Sequence, residues 1–157
     1  RLSLVRSEMC IETGTTPLLG VCLGFQALLE HHGGAVEPCG PVHGKSLPMT
    51  LTEAGVMHPV FQGLATDTEP DQPGHLGTQV PVARYHSLGC TDLPRGMRCL
   101  ARTSTDIGEV TMAAETDDGR ALGMQFHPES ILTPRGPAML ERCINQLYTP
   151  ATMDTEN

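Results

Sequence analysis

No apolar run in the 157-residue sequence approaches the ~18 residues that a membrane-spanning helix needs. The opening Arg1-Leu2-Ser3-Leu4-Val5-Arg6 has no signal-peptide hydrophobic region, which speaks against export. Positive charge is scarce. Ten Lys and Arg face eighteen Asp and Glu, for a net charge of −8, and no basic arm gathers anywhere. A surface for nucleic acid or other polyanions is therefore not expected, nor one for anionic membranes. No Cys-x-x-Cys and no His/Cys pair has metal-ligand spacing, which argues against a structural zinc site. Internal repeats and low-complexity segments are also missing.

What is present suits one soluble domain with a sizeable core, since 39% of residues are hydrophobic. The spread acidic charge reads mainly as a solubility feature. Six cysteines, Cys10, Cys22, Cys39, Cys90, Cys99 and Cys143, are scattered without a disulfide-like pattern. The expectation is a reducing, cytoplasmic setting in which each thiol is either a small core residue or a reactive group.

Pro17 to Cys22 is a short apolar run that reads as a buried strand, and Gly24 to His32 reads as a helix closed by Gly33-Gly34. Leu47 to Thr52 is a further strand before a turn at Glu53-Ala54-Gly55, and Val80 to Tyr85 another. The Pro-, Gly- and acid-rich stretch from Thr66 to Gln79 reads as a surface loop. Met97 to Arg102, Val110 to Glu115 and Ala121 to Phe126 form a late set of strands, the last two joined by a hairpin at Asp117-Asp118-Gly119. Thr133 and Pro134 offer an N-cap and an N1 proline for a final helix to about Tyr148. Its stripe of Met139, Leu140, Cys143, Ile144 and Leu147 reads as core. Ala151 to Asn157 is a polar tail, and the domain is read as residues 1–150.

In Gly20-Val21-Cys22-Leu23-Gly24-Phe25-Gln26 a cysteine stands at a strand-to-helix turn. Such an elbow lifts the side chain above the sheet, and its sharpness calls for small neighbours, here Gly20 and Gly24. The N–H groups of the following helix favour thiolate, so a lowered thiol pKa is expected. The N–H of Leu23 is placed to bond a developing oxyanion. The competing reading is a buried strand-end cysteine beside a tight turn. A nucleophile also needs a base, and Gln125-Phe126-His127-Pro128-Glu129-Ser130 supplies one. His127 and Glu129 are two apart, so in extended backbone they point the same way, and Pro128 biases His127 toward that geometry. Glu129 can orient one imidazole nitrogen while the other faces the thiol. Alone, His-Pro-Glu reads as a surface loop; joined to the elbow it becomes specific.

From about Pro17 to Tyr148 these motifs resemble class I glutamine amidotransferases. Three stretches are similar to the chorismate-using members: Pro41-Val42-His43-Gly44-Lys45, Arg84-Tyr85-His86-Ser87-Leu88, and Phe126-His127-Pro128-Glu129-Ser130-Ile131-Leu132-Thr133. The resemblance implies an α/β, flavodoxin-like fold with a mixed, mostly parallel sheet, here lacking its N-terminal βα portion. It implies that Cys22 attacks the side-chain amide of glutamine, His127 moves protons and Glu129 orients His127. Gln26, Ser87 and Leu88 would hold the substrate glutamine, the last two through backbone groups. A glutamyl thioester forms and ammonia passes to a chorismate-binding synthase subunit or fused domain of the anthranilate or aminodeoxychorismate type. No cofactor is expected in this domain, and magnesium would sit with chorismate on the synthase.

Other readings stay open at this stage. Gln26 could be solvated, His86 a loop histidine, and His43 and Lys45 loop supports or partner contacts. His31, His32, His58 and His75 read as surface. Family members often carry His where this chain has Phe25. The family's first strand, first helix and Pro-Gly-Pro-Gly loop, which carries a second oxyanion donor, are not found in the sequence. Arg1 to Thr16 has no strong strand pattern, so a piece of a longer polypeptide is expected. A non-catalytic docking domain of the same fold and a γ-glutamyl hydrolase are the functional alternatives.

Overall fold

The computed structural model describes residues 16–68 and 76–148. The apolar run after Pro17 becomes strand β1 (Leu18–Val21), which turns directly into helix α1 (Leu23–His31). There follow β2 (Glu37–Pro38), β3 (Lys45–Leu51), a short helix α2 (Glu53–Met57), β4 (Gln79–Arg84) and β5 (Leu88–Gly89). The late strands are β6 (Met97–Thr105), β7 (Gly108–Thr116) and β8 (Ala121–Met124), and the last element is helix α3 (Gly136–Tyr148). The expectations for residues 1–15, for the tail 151–157, for a boundary at residue 150 and for His75 lie outside the described residues.

Six strands form one sheet in the order β1-β8-β7-β6-β3-β4, and β2 pairs with β5 in a small ribbon. The sheet is mixed as expected, but the expectation that it is mostly parallel is not met among the described residues. Only β1 and β8 run parallel; the other pairings are antiparallel. The reason is topological. A parallel pair needs a crossover, whereas hairpins give antiparallel neighbours. The β6–β7 and β7–β8 connections are hairpins. The second uses the expected turn, where Asp118 Oδ1 accepts from Thr116 Oγ1 and from the Arg120 N–H.

The sheet also curls. Gln125, just past β8, donates its N–H to Met112 of β7, and His127 donates to Ala83 of β4, the strand at the opposite edge. The end of β8 is thereby brought to the end of β4. This closure places the segment 125–130 beside the turn that follows β1.

Apolar residues fill both faces. Phe25, Leu28 and Leu29 of α1 pack against Cys90, Met97 and Ala114 on one face. The other face is larger and includes Met49, Phe61, Leu100, Met112, Phe126 and Met139. Strands β7 and β8 separate the two cores, which is why they are buried without alternation. Phe25 is completely buried, so the departure from the family's frequent His is a packing choice. Full burial of such a side chain contributes about 1.5–3 kcal/mol. No helix among the described residues is long and apolar enough to cross a membrane.

Several local expectations are corrected. The segment Glu53-Ala54-Gly55 is not a simple turn but the start of α2, because the Thr52 hydroxyl accepts the Gly55 N–H and caps it. Thr133 is not the N-cap of the last helix, which starts at Gly136, because its hydroxyl is used elsewhere. Ile144 is 52% exposed, so the buried face of α3 is narrower than the predicted stripe and rests on Met139 and Cys143. His58 is buried, not on the surface. Its Nδ1 accepts the Val60 N–H, so Nε2 carries the proton and donates to Glu115 at 2.8 Å.

Glu115 also receives the guanidinium of Arg98 and the side-chain amide of Gln146, which ties α3 and the segment after α2 to β7. Burial opposes ionisation of Glu115, but the hydrogen bonds from His58 and Arg98 outweigh it and lower its pKa to about 2. An unfolded glutamate titrates near ~4.3, so the depressed value stabilises the fold above that pH. The contribution drains away as pH falls toward about 2. Glu115→Gln is expected to lower stability by roughly 2–3 kcal/mol near neutral pH in urea denaturation. The gap between variant and parent should shrink as the buffer is acidified through that window.

Candidate active site

Cys22 occupies the single residue between β1 and α1, with φ 50° and ψ −102°. It is the one non-glycine residue with positive φ among those described. That conformation is disfavoured for a residue bearing Cβ and persists only where the surroundings enforce it. Here the Cys22 N–H donates to Met124 of β8 at 2.8 Å, and its carbonyl accepts the Gln26 N–H at 3.0 Å. Gly20 permits the turn, because a Cβ there would come within 2.9 Å of the Gly24 backbone. Gly24 itself is not required for space, since a Cβ at that position meets nothing, which corrects the expectation of two obligatory glycines.

The thiol pKa is raised, not lowered as the sequence suggested. Burial is the largest influence and pushes it up, while the Leu23 backbone N–H pulls it down as expected. The charge of Glu129 adds to the rise, and a hydrogen bond from Gln125 Nε2, at 3.7 Å from the sulfur, opposes it. The helix terminus acts in the predicted direction but is outweighed by desolvation. A resting thiol therefore needs a base to become a nucleophile at neutral pH.

His127, the base expected from the sequence, is oriented by Glu129 as the spacing predicted. His127 Nδ1 and Glu129 Oε1 are 2.6 Å apart, so Nδ1 carries the proton shared with the carboxylate and Nε2 is left to act. Among the described residues the hydrogen bond at the sulfur comes from Gln125, and none joins the sulfur to the imidazole. The Glu129 charge nevertheless reaches Cys22. A pocket of about 380 Å³ opens over Tyr85, His127, Glu129 and Ser130. A second cavity, about 300 Å³, lies at the opposite ends of β1 and β8, between Leu18, His32, Asp118 and Arg120. It holds no nucleophile and is remote from Cys22.

The backbone of His127 is fixed from below. Its carbonyl accepts the Thr133 hydroxyl at 2.7 Å, and the same hydroxyl accepts the Ala83 N–H at 2.9 Å. Gly136 lets α3 approach this segment, because a Cβ there would sit 1.8 Å from the Pro128 carbonyl oxygen. The ring of Tyr85 meets that of His127 edge to face, with centroids 5.3 Å apart.

The other expected residues gather nearby. Gln26 is buried, which removes the solvated reading, and its Nε2 reaches Leu88 O at 3.5 Å and Gln125 Oε1 at 3.2 Å. Ser87 is exposed, and its carbonyl accepts the Cys39 N–H. Leu88 is partly exposed, and its carbonyl also accepts from His86. His86 is buried, with burial lowering its pKa, and acts as a structural donor. Lys45 and His43 are exposed and lie outside the pocket. Three residues were missed as functional: Gln125, Tyr85 and Thr133. The two-residue alternation that pairs His127 with Glu129 reaches Gln125 when carried one step upstream. Tyr85 and Thr133 have no such signal, since their roles come from the curl of the sheet.

A strand-helix elbow carrying cysteine and a carboxylate-bonded histidine on a mixed α/β sheet are the parts a thiol-dependent amide-cleaving class uses. A family model for class I glutamine amidotransferases matches residues 6–147, and the chain belongs to that family. Anthranilate synthase component 2 of Corynebacterium glutamicum is 61% identical over 134 residues, covering 85% of this chain and 64% of the relative. The pyocyanine-specific anthranilate synthase component 2 of Pseudomonas aeruginosa is 43% identical over 132 residues, covering 83% and 56%. The chain thus spans between 56% and 64% of the length of these relatives. Among solved structures, a proposed GMP synthase component of Thermoplasma acidophilum superposes with a TM-score of 0.71 at 21% identity, covering 92% of this chain and 63% of that one. A glutamine amidotransferase of Thermotoga maritima gives 0.54 at 20% identity, covering 92% and 51%. At these identities the two structures speak to fold alone.

The two bonds at Thr133 yield a direct test. Thr133→Val removes the partners of one buried N–H and one carbonyl, and should lower stability by about 2 kcal/mol in urea denaturation. Thr133→Ser keeps the hydroxyl and should retain most of that stability.

Proposed function

We propose that this domain is the glutaminase of a chorismate-aminating synthase, with Cys22, His127 and Glu129 as its catalytic residues. The observation that carries the reading is the strained elbow at Cys22, φ 50°, in one domain with a histidine already bonded to its orienting carboxylate. Its relatives named anthranilate synthase component 2 supply the branch.

In this reading His127 Nε2 takes the thiol proton as the sulfur attacks the side-chain carbonyl carbon of glutamine. The tetrahedral oxyanion is met by the Leu23 N–H. Collapse breaks the C–N bond, His127 returns the proton to the leaving nitrogen, and ammonia departs from a glutamyl thioester. Water, deprotonated by the same imidazole, then releases glutamate and restores the thiol. Burial of the thiol fits this order, because it keeps the sulfur protonated until substrate and base are in place. Ser87 and Leu88 offer backbone groups for the amino-acid end of glutamine. Gln26 has its nitrogen engaged, so its contribution to the substrate falls to its oxygen. Ammonia protonates readily in water, so a docked chorismate-binding subunit or fused domain must receive it. Magnesium belongs with chorismate on that partner, and a reducing cytoplasm suits the free thiols.

One observation favours the docking-domain alternative: the sulfur's hydrogen bond at rest comes from Gln125 and not from His127. Glutamate release in the presence of a chorismate-binding synthase subunit separates the two. The expected result is glutaminase activity that falls by at least about a thousandfold in Cys22→Ala. Equal release by parent and variant, or none from either, contradicts the glutaminase reading.

A further inference from the structure

Arg84 is 6% exposed, yet among the described residues no carboxylate bonds its guanidinium. A charge in that position is costly unless it is satisfied in some other way. Its Nε–H donates to His86 Nε2 at 3.2 Å, and one terminal nitrogen reaches Thr103 Oγ1 at 3.5 Å. From this point every donor along a chain of buried groups is determined. Arginine only donates, so His86 Nε2 must accept and the neutral ring carries its proton on Nδ1. That Nδ1–H donates to Leu88 O at 3.0 Å. A carbonyl oxygen only accepts, so the Gln26 atom facing it is Nε2 and not Oε1. The same Nε2 lies 3.2 Å from Gln125 Oε1, which turns the Gln125 amide so that Nε2 faces the Cys22 sulfur at 3.7 Å.

We infer that the Leu88 carbonyl, Gln26 and Gln125 form a hydrogen-bond relay of fixed polarity that holds an N–H donor against the Cys22 sulfur. Gln125 is the positioning residue at its end, and the Leu88 carbonyl, which can only accept, sets its direction, while Arg84 and His86 hold that carbonyl from the other side. Without the Gln26 amide, the Gln125 amide is free to turn over. An amide oxygen would then face the sulfur and repel a thiolate. The arrangement explains why two amides are buried here, with Gln125 only 1% exposed. Other groups face the relay. The Cys39 thiol lies 3.9 Å from His86 Nδ1, and burial raises its pKa, so it stays uncharged. Around the sulfur itself the titratable neighbour is Glu129, with His127 held to it.

The inference rests on Cys22 being the nucleophile, but its test does not need turnover. The rate of Cys22 alkylation by iodoacetamide is followed against pH in the full chain, read on the Cys22 peptide by mass spectrometry, with circular dichroism confirming the fold. Gln125→Met removes the donor with little change of shape. Its alkylation midpoint should move to higher pH, and its rate at neutral pH should fall about threefold or more. Gln125→Glu places an acceptor there and should shift the midpoint further. Gln26→Met leaves Gln125 intact but interrupts the chain and should still move the midpoint the same way. Should that variant not fold, Gln26→Glu, which turns an acceptor toward Gln125, reads the same chain. Midpoints unchanged in Gln125→Met overturn the relay, even if the melting temperature drops, because a filler role would move stability alone. A shift in Gln125→Met with none in folded Gln26→Met or Gln26→Glu overturns the fixed polarity. Absence of glutamate release with these shifts present counts against the glutaminase and not against the relay.

Discussion

Holding a residue with a Cβ at φ 50° costs about 1–2 kcal/mol relative to ordinary backbone, so something must enforce it at Cys22. The enforcement comes from both sides. The parallel pairing of β1 with β8 fixes the residue before the turn, and α1, docked through the buried Phe25, Leu28 and Leu29, fixes the residue after it. Gly20 allows the two elements to meet without a clash. The strain leaves the sulfur at the C-terminal end of β1, where Gln125, at the end of β8, reaches it. The curl of the sheet then delivers His127 to the same neighbourhood by bonding it to β4. Cys22, His127 and the Leu88 carbonyl thus come from distant parts of the chain and are gathered by the closure of the sheet.

Electrostatics at this place balance rather than point one way. Burial keeps the Cys22 proton on, and Glu129 reinforces that, while N–H groups from Leu23 and Gln125 lean toward thiolate. A free anionic sulfur would be exposed to oxidation and alkylation between turnovers. In the proposed mechanism, a thiol held protonated by burial until its base acts avoids this. Elsewhere in the fold a buried carboxylate is handled in the opposite manner. Glu115 stays ionised because His58 and Arg98 bond it directly.

Much of this was legible in the sequence where a local pattern carried it. The apolar run before Cys22, the glycine before the turn, the His-x-Glu alternation and the Asp-Asp-Gly hairpin all act over a few residues, and each appears as read. What stayed illegible depends on tertiary closure. Thr133 looks like a helix cap because Thr-Pro usually is one, but the approach of β4 claims its hydroxyl first. His58 looks like a surface histidine because nothing local announces Glu115, which arrives from a strand far along the chain. The thiol pKa was misjudged for the same reason: the helix end is local and visible, whereas burial is global. The excess of antiparallel pairings follows from hairpins whose strands were recognised individually but not ordered.

The central claim is that the sulfur of Cys22 and the imidazole of His127 act on one atom of a bound glutamine. An electrophilic chloroketone analogue of glutamine tests it most directly, with the adduct located by peptide mapping and its geometry by crystallography. The account predicts a single modified cysteine, Cys22, with His127 Nε2 within hydrogen-bond reach of the new centre and Glu129 still on Nδ1. Modification of another cysteine in preference to Cys22, or an adduct with the imidazole turned away from the sulfur, would contradict it.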